Sequence, residues 1–329
     1  MSKHPTSQRE NALRVLTLSG EPDWVPVSAD CFMFLVPSVV RERPLRGANG
    51  ADWFGCNWIW DPDSLGFAPD ILNPPFLEDI TEWRDVVKFP DLDTIDWEAA
   101  AAVDLADHDR NEKLIRLILE SGPFERTHHF LGFENAFLAM SEEPEEYKAL
   151  IDAIAEYKVK LIYKICEFYK PDEIMAQDDL GNARGPMMSL EMYRDLLKPA
   201  HKRISDAIRS NGVIYTHHSC GKMDAFIDDL IEVGVNAINP FQPSNDLEAI
   251  ADKYGRVICC DVGAETLANY PNSSEAEIRA EVRRVIDIFA PHKTLMIECF
   301  PSNVKCMQNI EIALDEARRY GSAFYSSLI

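Results

Sequence analysis

The chain has 329 residues, 46% hydrophobic and 27% charged, a balance that suits a globular protein and excludes a disordered or collagen-like one. Its formal net charge of −22, with no Lys/Arg stripe interleaved with aromatics, would repel a phosphate backbone and argues against nucleic acid as a partner. No apolar run approaches the ~20 residues that cross a bilayer, and the polar opening Met1 to Glu10 has no signal-peptide core, so a cytoplasmic protein is expected.

In chain order, a short helix is expected over Asn11 to Leu18, followed by a first strand at Pro22-Asp23-Trp24-Val25-Pro26-Val27. All six tryptophans (Trp24, Trp53, Trp58, Trp60, Trp83, Trp97) lie in the first hundred residues among many prolines, which reads as an N-terminal cap. From about Glu145 the pattern turns regular. Strands are expected at Glu173 to Ala176, Val213 to His218, Ala237 to Pro240, Val257 to Asp261 and Thr294 to Cys299. Amphipathic helices fall between them. One follows Pro144 with Tyr147, Leu150, Ile151 and Ile154 inward; another opens on a capping box, Ser274 with Glu277, before Ile278, Val282, Val285, Ile286 and Phe289. This alternation is that of βαβ units. No Gly-x-Gly-x-x-Gly turn follows a strand, which disfavours a dinucleotide-binding sheet. The fold class expected is α/β, a closed (β/α)8 TIM barrel in one domain over 1–329, with about 1–100 forming the aromatic-rich cap and first strand.

In such a barrel the active site gathers at the carboxyl ends of the strands. Along Val213 to Cys220, Ile214, Thr216, His218 and Cys220 share one face while Tyr215 and His217 take the other. In Leu295 to Cys299 the same period groups Leu295, Ile297 and Cys299, whose apolar early members suit the interior. This places Cys299 at the mouth and turns Glu298 away. One imidazole and two thiols, His218, Cys220 and Cys299, make a three-ligand set for zinc with an open fourth position. A bulge would bring Glu298 in as a fourth, displaceable ligand. Taken singly, a cysteine is more often a small buried residue and a histidine a hydrogen-bonded core residue. The eight cysteines are spread without secretory context, so free thiols or ligands are expected rather than disulfides.

Other candidates surround this set. In Gln177-Asp178-Asp179-Leu180-Gly181-Asn182, Asp178 or Asp179 could position a substrate, with Asp178 the inward member because it shares parity with Ile174 and Ala176; turn chemistry and helix capping are the bland alternative. Asn239 and Gln242 end the next strand, Asp261 with Glu265 the one after, and Glu134 is a further pocket carboxylate or a capping one. Trp53, Phe54, Trp58, Trp60 and Phe67 could cover the mouth and stack on a flat substrate or a macrocycle, although such a group more often glues a cap to a barrel.

With these residues in view, the chain resembles the uroporphyrinogen decarboxylase superfamily, including its zinc- and corrinoid-dependent methyltransferase branch. The resemblance runs from Pro22-Asp23-Trp24-Val25-Pro26 through Leu180-Gly181-Asn182-Ala183-Arg184-Gly185-Pro186 and His218-Ser219-Cys220-Gly221 to Asn303. True decarboxylases of this kind carry arginines flanking Gln-Ala-Gly; Arg41, Arg43 and Arg46 lie in that region without the matching pattern. The methyltransferase branch is similar in its His-x-Cys pair and distant Cys. The resemblance implies Zn2+ on His218, Cys220 and Cys299, a corrinoid supplied on a partner protein, and methyl transfer to or from a small molecule. The aromatic cap leans toward a methoxylated aromatic and O-demethylation. The alternatives are a metal-free decarboxylase of a porphyrinogen or other carboxylated aromatic, and a non-catalytic corrinoid or tetrapyrrole carrier.

Overall fold

A computed structural model of the chain describes residues 6–70, 72–73, 76–264 and 267–328. Its strands are β1 (Phe32–Leu35), β2 (Gly50–Ala51), β3 (Asn57–Asp61), β4 (Gly66–Pro69), β5 (Leu114–Leu119), β6 (Glu173–Gln177), β7 (Ile214–His218), β8 (Ala237–Phe241), β9 (Cys259–Gly263) and β10 (Leu295–Glu298). Seven of them form one sheet in the order β1-β5-β6-β7-β8-β9-β10, every pair parallel. Parallel neighbours need long crossovers, and helices supply them. The helix Pro144–Phe168 starts on a proline that needs no N–H there and buries Tyr147, Leu150, Ile151 and Ile154 on one face. The helix Glu275–Phe289 carries the expected capping box. No helix among the described residues is long and apolar enough to cross a membrane.

The closed eight-stranded barrel expected from the sequence is corrected to a curled, seven-stranded parallel sheet that stays open between its edge strands β1 and β10. Val27 makes a single parallel bridge to Ile297, and the four-residue helix Ser28–Cys31 then intervenes before β1 pairs with β5. The segment expected as the first strand, Pro22 to Val27, thus makes only this one bridge, and the strand that forms a ladder lies beyond it at Phe32–Leu35. The helical turn Ser28–Cys31, which interrupts the extended chain, is the reason.

Both faces of the sheet are buried, and they differ in character. On the concave face Phe32, Leu114, Ile214, Ala237, Cys259 and Met296, one from each of six strands, pack with Ala12, Val15 and Leu16 of the helix Gln8–Thr17. That helix closes the amino end. One pleat further along, the same face turns polar, with Arg116, Thr216, Asn239, Asp261 and Glu298. The helix-facing residues Ile115, Leu117, Ile174, Tyr215, Ile238, Cys260, Leu295 and Ile297 belong to the main apolar core. The expected cap is in part an antiparallel sheet, β2-β3-β4, in which Trp58 and Trp60 pair with Pro69 and Phe67.

Candidate metal centre

The parity read along β7 holds. Tyr215 and His217 face the helices, where the Tyr215 hydroxyl meets His217 Nδ1 at 3.0 Å and burial pushes that imidazole well below its ordinary range. His218 faces the mouth: its Nε2 lies 3.6 Å from Cys220 Sγ and 3.9 Å from Asp179 Oδ1. Asp179 Oδ1 also accepts from Cys220 N at 2.7 Å. Ligand atoms of Asp179, His218 and Cys220 all lie within 4.8 Å of one another, the one such group among the described residues.

The loop after β7 is held from several sides. Gly221 N donates to Gln242 Oε1 at 2.8 Å, Asn245 Nδ2 donates to Gly221 O at 2.9 Å, and Lys222 N donates to Asn182 O at 2.8 Å. Gly221 sits at φ +82°, and a Cβ there would meet Asn182 N and Cα at 2.7 Å. Only glycine allows Cys220 to be followed by so close a turn.

Donor chemistry and spacing fit zinc. With metal–ligand lengths of about 2.0 Å to nitrogen and 2.3 Å to sulfur, a tetrahedral N–S edge is about 3.6 Å, the separation of His218 Nε2 and Cys220 Sγ. A nitrogen–oxygen edge is about 3.4 Å by the same reckoning, so Asp179 would close by a few tenths of an ångström.

Beneath the centre lies a buried ionic group that sequence reasoning missed. Arg116 Nη1 meets Asp261 Oδ2 at 2.9 Å and Glu298 Oε2 at 3.3 Å, and its Nε meets Glu173 Oε1 at 3.0 Å. Burial works against its charge, but the three carboxylates outweigh it and hold the guanidinium protonated. Burial likewise pushes Asp261 up to about 7, with Arg116 opposing and Glu298 adding to the rise. The signal for this group was an arginine inside the apolar run Leu-Ile-Arg-Leu-Ile-Leu of β5. Glu125 was missed as well. It lies in the first turn of the helix Pro123–Leu131, and burial, then nearby Asp179, push its carboxyl up to about 8. Its signal was the Gly-Pro-Phe-Glu that follows β5.

At His218, burial disfavours the charged ring, but the Cys220 sulfur, Asp179 and Asn239 overcome this and push it up to about 10.

Several expected positions are corrected. Asp178, expected inward, turns to the helix layer: its oxygens accept from Phe124 N at 3.1 Å, Glu125 N at 2.8 Å and His201 Nε2 at 2.8 Å. Asp179 is the member at the mouth. Glu298, expected outward, lies on the concave face, where Asn239 Nδ2 donates to its Oε2 at 2.5 Å. Cys299 accordingly joins Leu295 and Ile297 in the core between sheet and helices, outside the close group of three. Gln242 holds the turn after Cys220, and Glu134 is exposed in the first turn of the helix Phe133–Glu142. Trp58 is 3% exposed and donates to Asp52 at 3.0 Å, Trp53 packs edge-on against Phe54 and Tyr157, and Trp60 packs on Phe67. Glu265 lies outside the described residues.

A curled parallel α/β sheet with a His-Cys-carboxylate group beyond its strand ends defines a class of protein in which chemistry resides at that face. The chain matches the sequence model of the uroporphyrinogen decarboxylase (URO-D) family over residues 51–310 and belongs to that family. It is 26% identical over 193 residues to the methylated-thiol--coenzyme M methyltransferase of Methanosarcina mazei, covering 57% of this chain and 48% of that protein, so the match spans about half the relative's length. A solved methyltransferase from Methanosarcina mazei shares the fold with a TM-score of 0.69 at 15% identity, over 95% of this chain and 99% of that one. At that identity the likeness is one of fold alone.

Proposed function

We propose that this protein is a zinc-dependent methyltransferase that moves a methyl group between a small molecule and a corrinoid carried on a separate protein. The observation that carries this reading is the convergence of Asp179, His218 and Cys220. Membership of the URO-D family and the methyltransferase named among its relatives support it. His218 and Cys220 would hold the ion, with Asp179 the third donor in reach; Cys299, which the family resemblance implies, would have to turn from the helix side to join them. When bound, zinc supplies either activation of a thiol as thiolate or Lewis acidity toward an ether oxygen. The chain's own residues do the rest. Asn239 orients the His218 ring, Asp179 steadies Cys220 through its backbone N–H, and Gln242 and Asn245 fix the turn that presents the thiol.

The lean toward a methoxylated aromatic loses part of its support, because Trp58 and Trp53 are spent on packing the cap. A methylated thiol, the class in the relative's name, becomes the first substrate to test, and O-demethylation the second.

Metal analysis of untagged protein tests the reading. Zinc near one equivalent is expected, falling in Cys220→Ser to below about one tenth. The same low value in the unaltered protein, with no gain on reconstitution, would remove the metal from the proposal. Comparing Asp179→Asn with Cys299→Ser identifies the third ligand. Release of carbon dioxide from uroporphyrinogen by metal-free protein would replace methyl transfer with the decarboxylase reading.

A further inference from the structure

We propose that Arg116, Glu298 and Asn239 form a relay that keeps the ring proton of His218 on Nδ1 and leaves Nε2 as the nitrogen that donates its lone pair at the mouth. Donor and acceptor polarity passes along a chain of contacts. Arg116 has only N–H donors, so Glu298 Oε2, which its Nη1 meets at 3.3 Å, accepts. The same oxygen then receives the second contact, from Asn239 at 2.5 Å. An oxygen already accepting from a guanidinium presents a lone pair to its next neighbour, so the amide faces it with its NH2 end.

The opposite end of the amide is then decided. Asn239 Oδ1 faces His218 Nδ1 at 2.6 Å and can only accept, so Nδ1 carries the hydrogen. In the neutral ring the lone pair falls on Nε2, the atom that faces Cys220 Sγ at 3.6 Å and Asp179 Oδ1 at 3.9 Å. A flipped Asn239 would set its oxygen against Glu298 Oε2, acceptor to acceptor. Arg116 thus acts on a ring it does not touch, through two side chains from two other strands. All three are positioning residues: a histidine ligand gains orientation and basicity from the partner on its other nitrogen. The benefit to a metal rests on the zinc reading above; the polarity of the relay does not.

Nitrogen-15 NMR of histidine-labelled, metal-free protein tests the polarity directly. It is best read in a Cys220→Ser background at about pH 9, above the ordinary imidazole range, where the thiol no longer holds a second proton on the ring. A proton on Nδ1 of His218 is expected, and a proton on Nε2 overturns the proposal whether or not any other variant folds. Asn239→Leu removes the acceptor and should shift the proton toward Nε2, while Asn239→Asp, which keeps one, should not. At the next link Glu298→Leu should loosen the preference and Glu298→Gln, whose amide oxygen can replace the carboxylate, should preserve it. In the otherwise unaltered protein Asn239→Leu should weaken zinc binding about 10- to 100-fold and Asn239→Asp much less. Unchanged proton placement in both leucine variants would refute the relay. A parent with its proton on Nδ1 that takes up no zinc would leave the relay standing and remove the metal reading instead.

Discussion

Gly221 carries more of the site than its size suggests. Its φ of +82° and the 2.7 Å approach to Asn182 leave no room for a side chain directly after Cys220. Gly221→Ala should cost about 1–3 kcal/mol in urea denaturation and lower zinc content by displacing Cys220; equal stability and metal content would contradict this reading of the turn. His218 supplies a pH dependence. Its pKa rises from 6.5 toward about 10 in the folded chain, so the charged ring stabilises the metal-free protein fully below about 6.5 and that contribution fades as pH climbs to about 10. His218→Gln should therefore destabilise the metal-free protein more at pH 6 than at about pH 10, as compared by urea midpoints. Zinc competes with the same proton, so its affinity should rise with pH across that window, as competition with a chromogenic chelator would show.

At the scale of the elements, the polar ring of the concave face is held by one strand residue. Arg116 on β5 answers Glu173, Asp261 and Glu298 on β6, β9 and β10. Removing one partner of a buried ionic group leaves uncompensated charge, so Arg116→Met should destabilise by about 3–5 kcal/mol at neutral pH. The deficit should shrink in acid, where the orphaned carboxylates can protonate. A deficit that does not vary with pH would mean the arginine serves packing alone. The helix Gln8–Thr17 makes a different kind of contact at the amino end of the sheet, where Ala12, Val15 and Leu16 pack on its apolar residues. Leu16 there is fully buried, and Leu16→Ala should cost about 2–5 kcal/mol without altering zinc content, because the proposed metal centre lies at the opposite end of the strands.

Across the whole molecule, the later strands were legible in the sequence within a residue or two because each is a short apolar run flanked by amphipathic helix. β5 was hidden by the arginine inside it, and β1 lies past the short helix Ser28–Cys31, beyond the strand expected at Pro22 to Val27. His218 and Cys220 were legible as a pair because alternate strand residues share a face whatever the fold. Which face is inside was not legible on β6 and β10. Apolar Leu295 and Ile297, like Ile174 and Ala176, were read as interior, yet they pack on helices, and the error carried Asp178 inward and Glu298 outward. In a parallel sheet both faces are buried, so hydrophobicity cannot tell them apart. By itself the sequence determined the family, the order of strands and helices from Pro144 onward, and the His-x-Cys pair on a common face. Only the tertiary structure decided that the concave face is polar, that Asp179 rather than Asp178 meets the pair, and that Cys299 stands apart from it. The physical reason is that a buried guanidinium draws carboxylates from strands far apart in the chain, and that choice of face is made between strands, not along one.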